Sequence, residues 1–406
     1  MIPLSIPNFE GNEKKYVDAA LEQGWVSTGG AYINELESKL ADFLHAPAVA
    51  ACQSGTSAIH MALVECGVGP GDMVIVPCLT FIAAVNPVHY QFAEPVFMDC
   101  DESLCMDAAK LRQFCQKECS LQNNTLVHKS GKKVKAVIVV HVFGNMADME
   151  SIMEVAREFH LKVVEDATEA LGTYYTDGPF KGKYAGTIGN FGCYSFNGNK
   201  IITTGGGGAI TADSADVVRH LQYLSTQAKD DPHYYIHNEI GYNYRMTNLQ
   251  AALGVAQMEE LPEFISRKQK NYEEYKKLLE GFELAELMPF RAGTCSNKWF
   301  YSLKINRQRV KTDLREIISS MEKEGVQTRA IWGLINEQKP YREYIAYKIT
   351  KAKEYADCII NIPCSTNLKP DEIRVVVGAI KKASQGGTRI RHSCAVPPSA
   401  VLCYIL

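Results

Sequence analysis

The chain has 406 residues, 46% of them hydrophobic and 22% charged, with a formal net charge of −3 at pH 7. That length suits one large domain with a smaller satellite, and the composition is that of a globular protein with a real core. Near-balanced charge removes the general electrostatic case for a nucleic-acid or anionic-membrane partner, and neither is expected.

The opening "MIPLSIPNFEGNEKK" has no charged leader before a long apolar run, so no signal peptide is expected. No stretch approaches the ~20 apolar residues of a membrane span. The 13 cysteines are dispersed, and the closest pair, Cys115 and Cys119, is not at zinc-knuckle spacing. Reduced thiols in the cytoplasm and no metal site are the expectation.

In chain order, "YINELESKLADFL" places Ile33, Leu36, Leu40 and Phe43 at helical spacing. "AVAAC" reads as a strand, "GTSAIHMALVEC" as a helix, "DMVIVP" as a strand and "NPVHYQFA" as a short helix. Strands follow at "EPVFMDCD" and "VKAVIVVHVFG", with the run Val137 to Phe143 buried; the polar "KECSLQNNTLVHKSGKKVK" between them reads as a surface excursion. Next come the helix "MESIMEVAREFH" and the strand "LKVVEDA". Alternation of this kind predicts an α/β fold with a mainly parallel sheet, whose ligands collect at strand carboxyl ends. Beyond "NYRMTNLQAALGVAQMEEL" a long amphipathic helix, "FISRKQKNYEEYKKLLEGF", leads into a smaller α+β domain. The expected division is a large cofactor-binding domain, 1–255, whose N-terminal segment could pack on the small domain, then a small C-terminal domain, 256–385, and an atypical tail, 386–406. No internal repeat is present.

Three places could carry chemistry. In "SGTSAIHMAL", small residues Gly55 and Thr56 open a helix whose free N–H groups favour a phosphate; Ser54 also makes an ordinary helix cap. In "VVEDATEALG", Asp166 ends a buried strand and could hold a cationic ligand atom, or form a capping box with Glu169. In "YSFNGNKIITTGGGG", the turn formers Asn197, Gly198 and Asn199 present Lys200 on a loop. A loop lysine is ordinarily a solvated charge, but the apolar flanks here suit a nucleophile toward carbonyls. The four glycines match neither a P-loop nor a dinucleotide fingerprint, and read as backbone packed too closely for side chains. A phosphate nest, an acid at a strand end and a loop lysine are together what pyridoxal phosphate requires.

On these motifs the chain resembles the nucleotide-sugar aminotransferases of the DegT/DnrJ/EryC group, which have the type I pyridoxal phosphate fold. The resemblance runs roughly from Ile2 to Lys382, beginning with "WVSTGGAYINELE". It implies Lys200 as the Schiff-base lysine, Asp166 as partner of the pyridine nitrogen and Phe81 in "TFIAA" as the stacking aromatic. Gly55, Thr56 and Ser195 would hold the phosphate, with Asn243 in "GYNYRMTNLQAALG" reaching it from a partner subunit, hence a homodimer. Glu169 stands where many members carry Gln or His near the cofactor's phenolic oxygen. The Asn-Gly-Asn-Lys loop is similar to that of enzymes aminating C4 of nucleotide-linked 4-keto-6-deoxy-N-acetylhexosamines, nearest those of the legionaminic acid and bacillosamine pathways. L-Glutamate is the implied donor.

Amination at C3 and a non-catalytic sugar-nucleotide-binding protein are the alternatives. C3 dehydration is disfavoured because members doing it have His where Lys200 stands. Arg329 in "GVQTRAIWGLI" is a candidate for a pyrophosphate or sugar contact, or a surface ion pair. His141 reads as structural, and Trp25 and Trp332 as site-lining or simply packed.

Overall fold

The computed structural model describes residues 1–385; the tail expected over 386–406 lies outside the described residues. The helices are α1 (Glu13–Glu22), α2 (Ala31–Leu44), α3 (Gly55–Glu65), α4 (Asn86–Tyr90), α5 (Ala108–Glu118) and α6 (Met149–Phe159). They continue with α7 (Ala215–Ser225), α8 (Asn248–Leu278), α9 (Leu314–Lys323), α10 (Lys351–Ala356) and α11 (Pro370–Ser384). The strands are β1 (Val49–Cys52), β2 (Met73–Pro77), β3 (Glu94–Met98), β4 (Cys119–Gln122), β5 (Thr125–His128), β6 (Lys133–Val140), β7 (Lys162–Asp166) and β8 (Tyr174–Tyr175). Then come β9 (Phe191–Ser195), β10 (Gly208–Ala212), β11 (Ala285–Leu287), β12 (Thr294–Cys295), β13 (Tyr301–Ile305), β14 (Arg329–Ala330), β15 (Ala346–Tyr347) and β16 (Ile359–Ile362).

The large sheet runs β1-β10-β9-β7-β6-β2-β3-β15. Pairings from β9 to β15 are parallel, whereas β10 is antiparallel to both β1 and β9. Every residue of β1, β2 and β10 is buried, because helices cover both faces and leave no strand side to water. This is the expected α/β architecture with a mainly parallel sheet, whose mouth lies where β2, β6, β7 and β9 end. A second sheet, β11-β13-β16-β14, lies beside it.

Several local expectations are corrected. The polar excursion is a β4–β5 hairpin whose second strand joins β6 through Leu126 opposite Val134, both buried, so it extends the sheet. The run Val137 to Phe143 stops being a strand at Val140. Phe143 then sits in the left-handed region (φ 56°), which turns the chain over the strand ends. The long amphipathic helix belongs to α8, 31 residues long, which runs unbroken through residue 255, where the domain division was expected. Residues 2–8 lie against the second sheet: the Leu4 N–H donates to Gln327 Oε1 (2.9 Å), and the Leu4 carbonyl accepts from the Cys364 N–H (2.8 Å).

Candidate active site

A cavity of about 560 Å³ opens at the carboxyl ends of the parallel strands. Its first wall is the turn from β1 into α3. Ser54 caps the helix by accepting the Ser57 N–H (3.1 Å). Neither the Gly55 nor the Thr56 N–H donates to another described residue, so both remain available to an anion. A Cβ on Gly55 would lie 2.7 Å from Thr168 Cγ2 and 3.0 Å from Ser195 Cβ, so only glycine lets these three segments meet.

The second wall is the end of β7. Asp166 is its last residue and accepts the Thr168 N–H (3.1 Å). No helix follows, so the capping-box alternative fails; Glu169 points back into the cavity instead. Its Oε2 accepts the Phe143 N–H (2.8 Å), and its Oε1 lies 3.6 Å from Lys200 Nζ. The left-handed backbone at Phe143 aims that N–H, a strained arrangement of the kind that collects at functional sites.

The third wall is the Lys200 loop. It closes on itself: the Phe196 N–H donates to Gly207 O (2.8 Å) and the Thr204 N–H to Phe196 O (2.9 Å). Of the four glycines, two are packed as expected. A Cβ on Gly208 would be 2.4 Å from the Ser54 carbonyl carbon, and one on Gly207 2.2 Å from Thr204 Oγ1. The other two are not crowded: Gly205 has only a positive φ (79°), and Gly206 is open.

Burial dominates the electrostatics. It pushes the Glu169 carboxyl up to about 7, against the pull of the Lys200 ammonium and the Phe143 N–H. Burial also raises Asp166, against its hydrogen bonds from Thr168. Burial thus makes each carboxylate costly to hold uncompensated, so a cation beside either one is favoured.

Gly55, Thr56, Phe81, Asp166, Glu169, Ser195, Lys200 and Arg329 all line this one cavity, as does Trp332. Asn243 does not; it accepts from Gln227 Nε2 (3.1 Å) away from the cavity of its own chain. Trp25 is 60% exposed and outside the cavity. His141 is buried, its Nε2 paired with Glu165 (2.8 Å) and its Nδ1 accepting the Ala147 N–H, a structural arrangement. Sequence reasoning missed Trp299: its ring lies 4.1 Å from Lys200 Nζ, and its Nε1 donates to Asn199 O (2.8 Å). Nothing in "SNKWFYSL" separates this tryptophan from a core one. Gln327 and Asn361, also missed, bring polar groups from the second sheet.

The model of the DegT/DnrJ/EryC1/StrS aminotransferase family matches residues 7–381. GDP-perosamine synthase of Caulobacter vibrioides is 34% identical over 381 residues, 93% of this chain and 97% of the relative. EpsN of Bacillus subtilis, whose name describes a pyridoxal phosphate-dependent aminotransferase, is 33% identical over 376 residues, 91% of this chain and 92% of its own. Among solved structures, Helicobacter pylori PseC, an aminotransferase involved in pseudoaminic acid biosynthesis, superposes with a TM-score of 0.84 at 20% identity, covering 95% and 99% of the two chains. TlmJ of Streptoalloteichus hindustanus gives 0.84 at 23%, covering 94% and 98%.

Fold and site together define a pyridoxal phosphate-dependent aminotransferase. Within that class, the chain belongs to the DegT/DnrJ/EryC1/StrS aminotransferase family and is a sugar aminotransferase.

Proposed function

We propose that the enzyme moves an amino group from L-glutamate to C4 of a nucleotide-linked 4-keto-6-deoxy-N-acetylhexosamine, giving a 4-amino sugar. The observation that carries this reading is the convergence of Lys200, Asp166 and the open N–H groups of Gly55 and Thr56 on one cavity. Surface-glycan or nonulosonic-acid synthesis is the proposed setting, legionaminic acid and bacillosamine included. The names of two relatives, GDP-perosamine synthase and the spore coat polysaccharide protein SpsC of Bacillus subtilis, support a nucleotide-linked sugar and a polysaccharide destination.

The residues fit pyridoxal phosphate. Gly55, Thr56 and Ser195 offer two free N–H groups and a hydroxyl to its phosphate. Asp166 offers a carboxylate to its ring nitrogen, and the exposed ring of Phe81 offers a face. When bound, the cofactor supplies an aldehyde for an amine and a ring that accepts electrons. Lys200 is the proposed base, taking the proton from the donor's α-carbon and returning one to the sugar's C4. Asp166 would hold the ring nitrogen, and its carboxylate would favour that nitrogen's protonated form. Glu169 Oε1, 3.6 Å from the amine, offers a carboxylate to the ammonium form of Lys200. Trp299 and Phe300 close the cavity to water on one side.

Arg329, exposed at the cavity rim with no carboxylate partner among the described residues, is proposed to hold the pyrophosphate or the sugar. A homodimer is proposed, with Asn243 serving the neighbouring site. The exposed side chains Tyr234, Tyr235, Ile236 and Ile240, which precede Asn243 on the same stretch of chain, are the surface proposed to meet the partner. The test is to supply UDP- and GDP-linked 4-keto and 3-keto sugars with L-glutamate and locate the new amine by NMR. Amination confined to a 4-keto sugar is the expected result; a C3 amine would overturn the position.

A further inference from the structure

We propose that Lys268 is a positioning residue, holding Trp299 against Lys200 and residues 2–8 against the cavity through two main-chain carbonyls. Lys268 lies two-thirds along α8 and is almost fully buried. Its Nζ donates to Trp299 O (2.8 Å) and Cys364 O (2.6 Å). No carboxylate answers this ammonium among the described residues, and burial pulls its pKa down.

An ammonium in such a place is costly, and an apolar side chain of similar length would fill the space at least as favourably. What an apolar residue could not do is grip two carbonyls at once. Each carbonyl belongs to a segment that builds the cavity. Trp299 carries the ring 4.1 Å from Lys200 Nζ and ties down the loop through Asn199. Its neighbour Lys298 is in the left-handed region (φ 50°), so the segment is not held by regular structure. Cys364 donates its N–H to Leu4 O, and the adjacent Ser365 Oγ accepts the Ile6 N–H (3.1 Å). Leu4 and Ser5, between those anchors, line the cavity. Trp299 and Cys364 lie just beyond the ladder in which Tyr301 pairs with Ile362, so one side chain grips both strands of that ladder's open end and fixes them to a long helix.

The inference rests on Lys200 as the working amine, but its test reads geometry as well as turnover. In the full-length protein with Trp25→Phe and Trp332→Phe, Trp299 is the only tryptophan and its emission reports its burial. Emission and acrylamide quenching would be recorded as purified and again after cofactor removal, with melting temperature alongside. Lys268→Met is expected to shift Trp299 emission to the red and raise the quenching constant about threefold or more. In the Trp25 and Trp332 wild-type background, kcat is expected to fall about tenfold or more, while KM for the donor changes less, as for a displaced catalytic group. Lys268→Arg, which keeps two donors, is expected to restore the emission. If Lys268→Met does not fold, Lys268→Gln, which keeps one carbonyl bond, is expected to give an intermediate quenching constant. Unchanged Trp299 emission in a folded variant, or a loss of kcat that follows the melting temperature alone, would overturn the proposal. If the unsubstituted enzyme proved inactive on every keto sugar, the emission result would still stand or fall alone.

Discussion

At the scale of single residues, the account turns on one amine and two buried acids. Lys200→Ala is expected to lower turnover by at least about 10³-fold, since no other amine lines the cavity among the described residues. Substantial retained activity would contradict its role. Asp166→Asn should still bind cofactor, yet slow kcat by about 10²-fold, because a neutral amide no longer favours a protonated ring nitrogen. Glu169 gives a pH prediction for the cofactor-free protein. Its folded pKa, about 7, is above the ~4.3 of an unfolded glutamate, so the folded state binds the proton more tightly. Stability contributed by that proton is fully present below ~4.3 and is lost as pH rises to about 7. Glu169→Gln should flatten this part of the profile in urea unfolding at successive pH values, leaving only what Asp166, raised in the same direction, contributes. An unchanged slope would mean Glu169 is not the titrating group. These acids and Lys200 were visible in the sequence because strand-end and loop chemistry leaves a local signature. Trp299 was not, since its partner lies 99 positions earlier and its own neighbours read as core.

At the scale of elements, the Lys200 loop shows what local pattern can and cannot say. Consecutive glycines announce a crowded or unusual backbone, but not which of them is crowded. Gly208→Ala would press a methyl into Ser54, at the turn that opens α3, and is expected to cost about 1–3 kcal/mol and weaken cofactor retention. Gly206→Ala meets nothing nearer than Gln250 Nε2 at 3.9 Å, and should be nearly neutral. Urea midpoints of the two variants check this; equal losses would contradict the packing. Similarly, the alternation of helices and strands was legible because buried parallel strands are long, β-branched runs. The antiparallel insertion of β10 between β1 and β9 was not, since pairing direction leaves no mark on composition.

At the scale of the whole molecule, the chain after α8 does not stay apart from what precedes it. β15 returns to pair with β3, and Asp99, buried at the end of β3, gathers that return. Burial would raise the Asp99 carboxyl, but Lys110 and the N–H groups of Ala352, Thr350 and Lys351 overcome this and hold it at about 2. Its stabilisation is thus complete above the unfolded value of ~3.9 and is lost as pH falls toward 2. Asp99→Asn should destabilise by about 2 kcal/mol or more at neutral pH, and by much less near pH 2, in thermal or urea unfolding. Such long-range ties were illegible because no local pattern encodes a partner hundreds of positions away. That Lys200 holds a cofactor which passes an amino group is tested most directly by the visible absorption spectrum of purified protein before and after L-glutamate. A yellow band that bleaches with the donor and is absent from Lys200→Ala is the expected result. A protein that stays colourless after incubation with pyridoxal phosphate would contradict it.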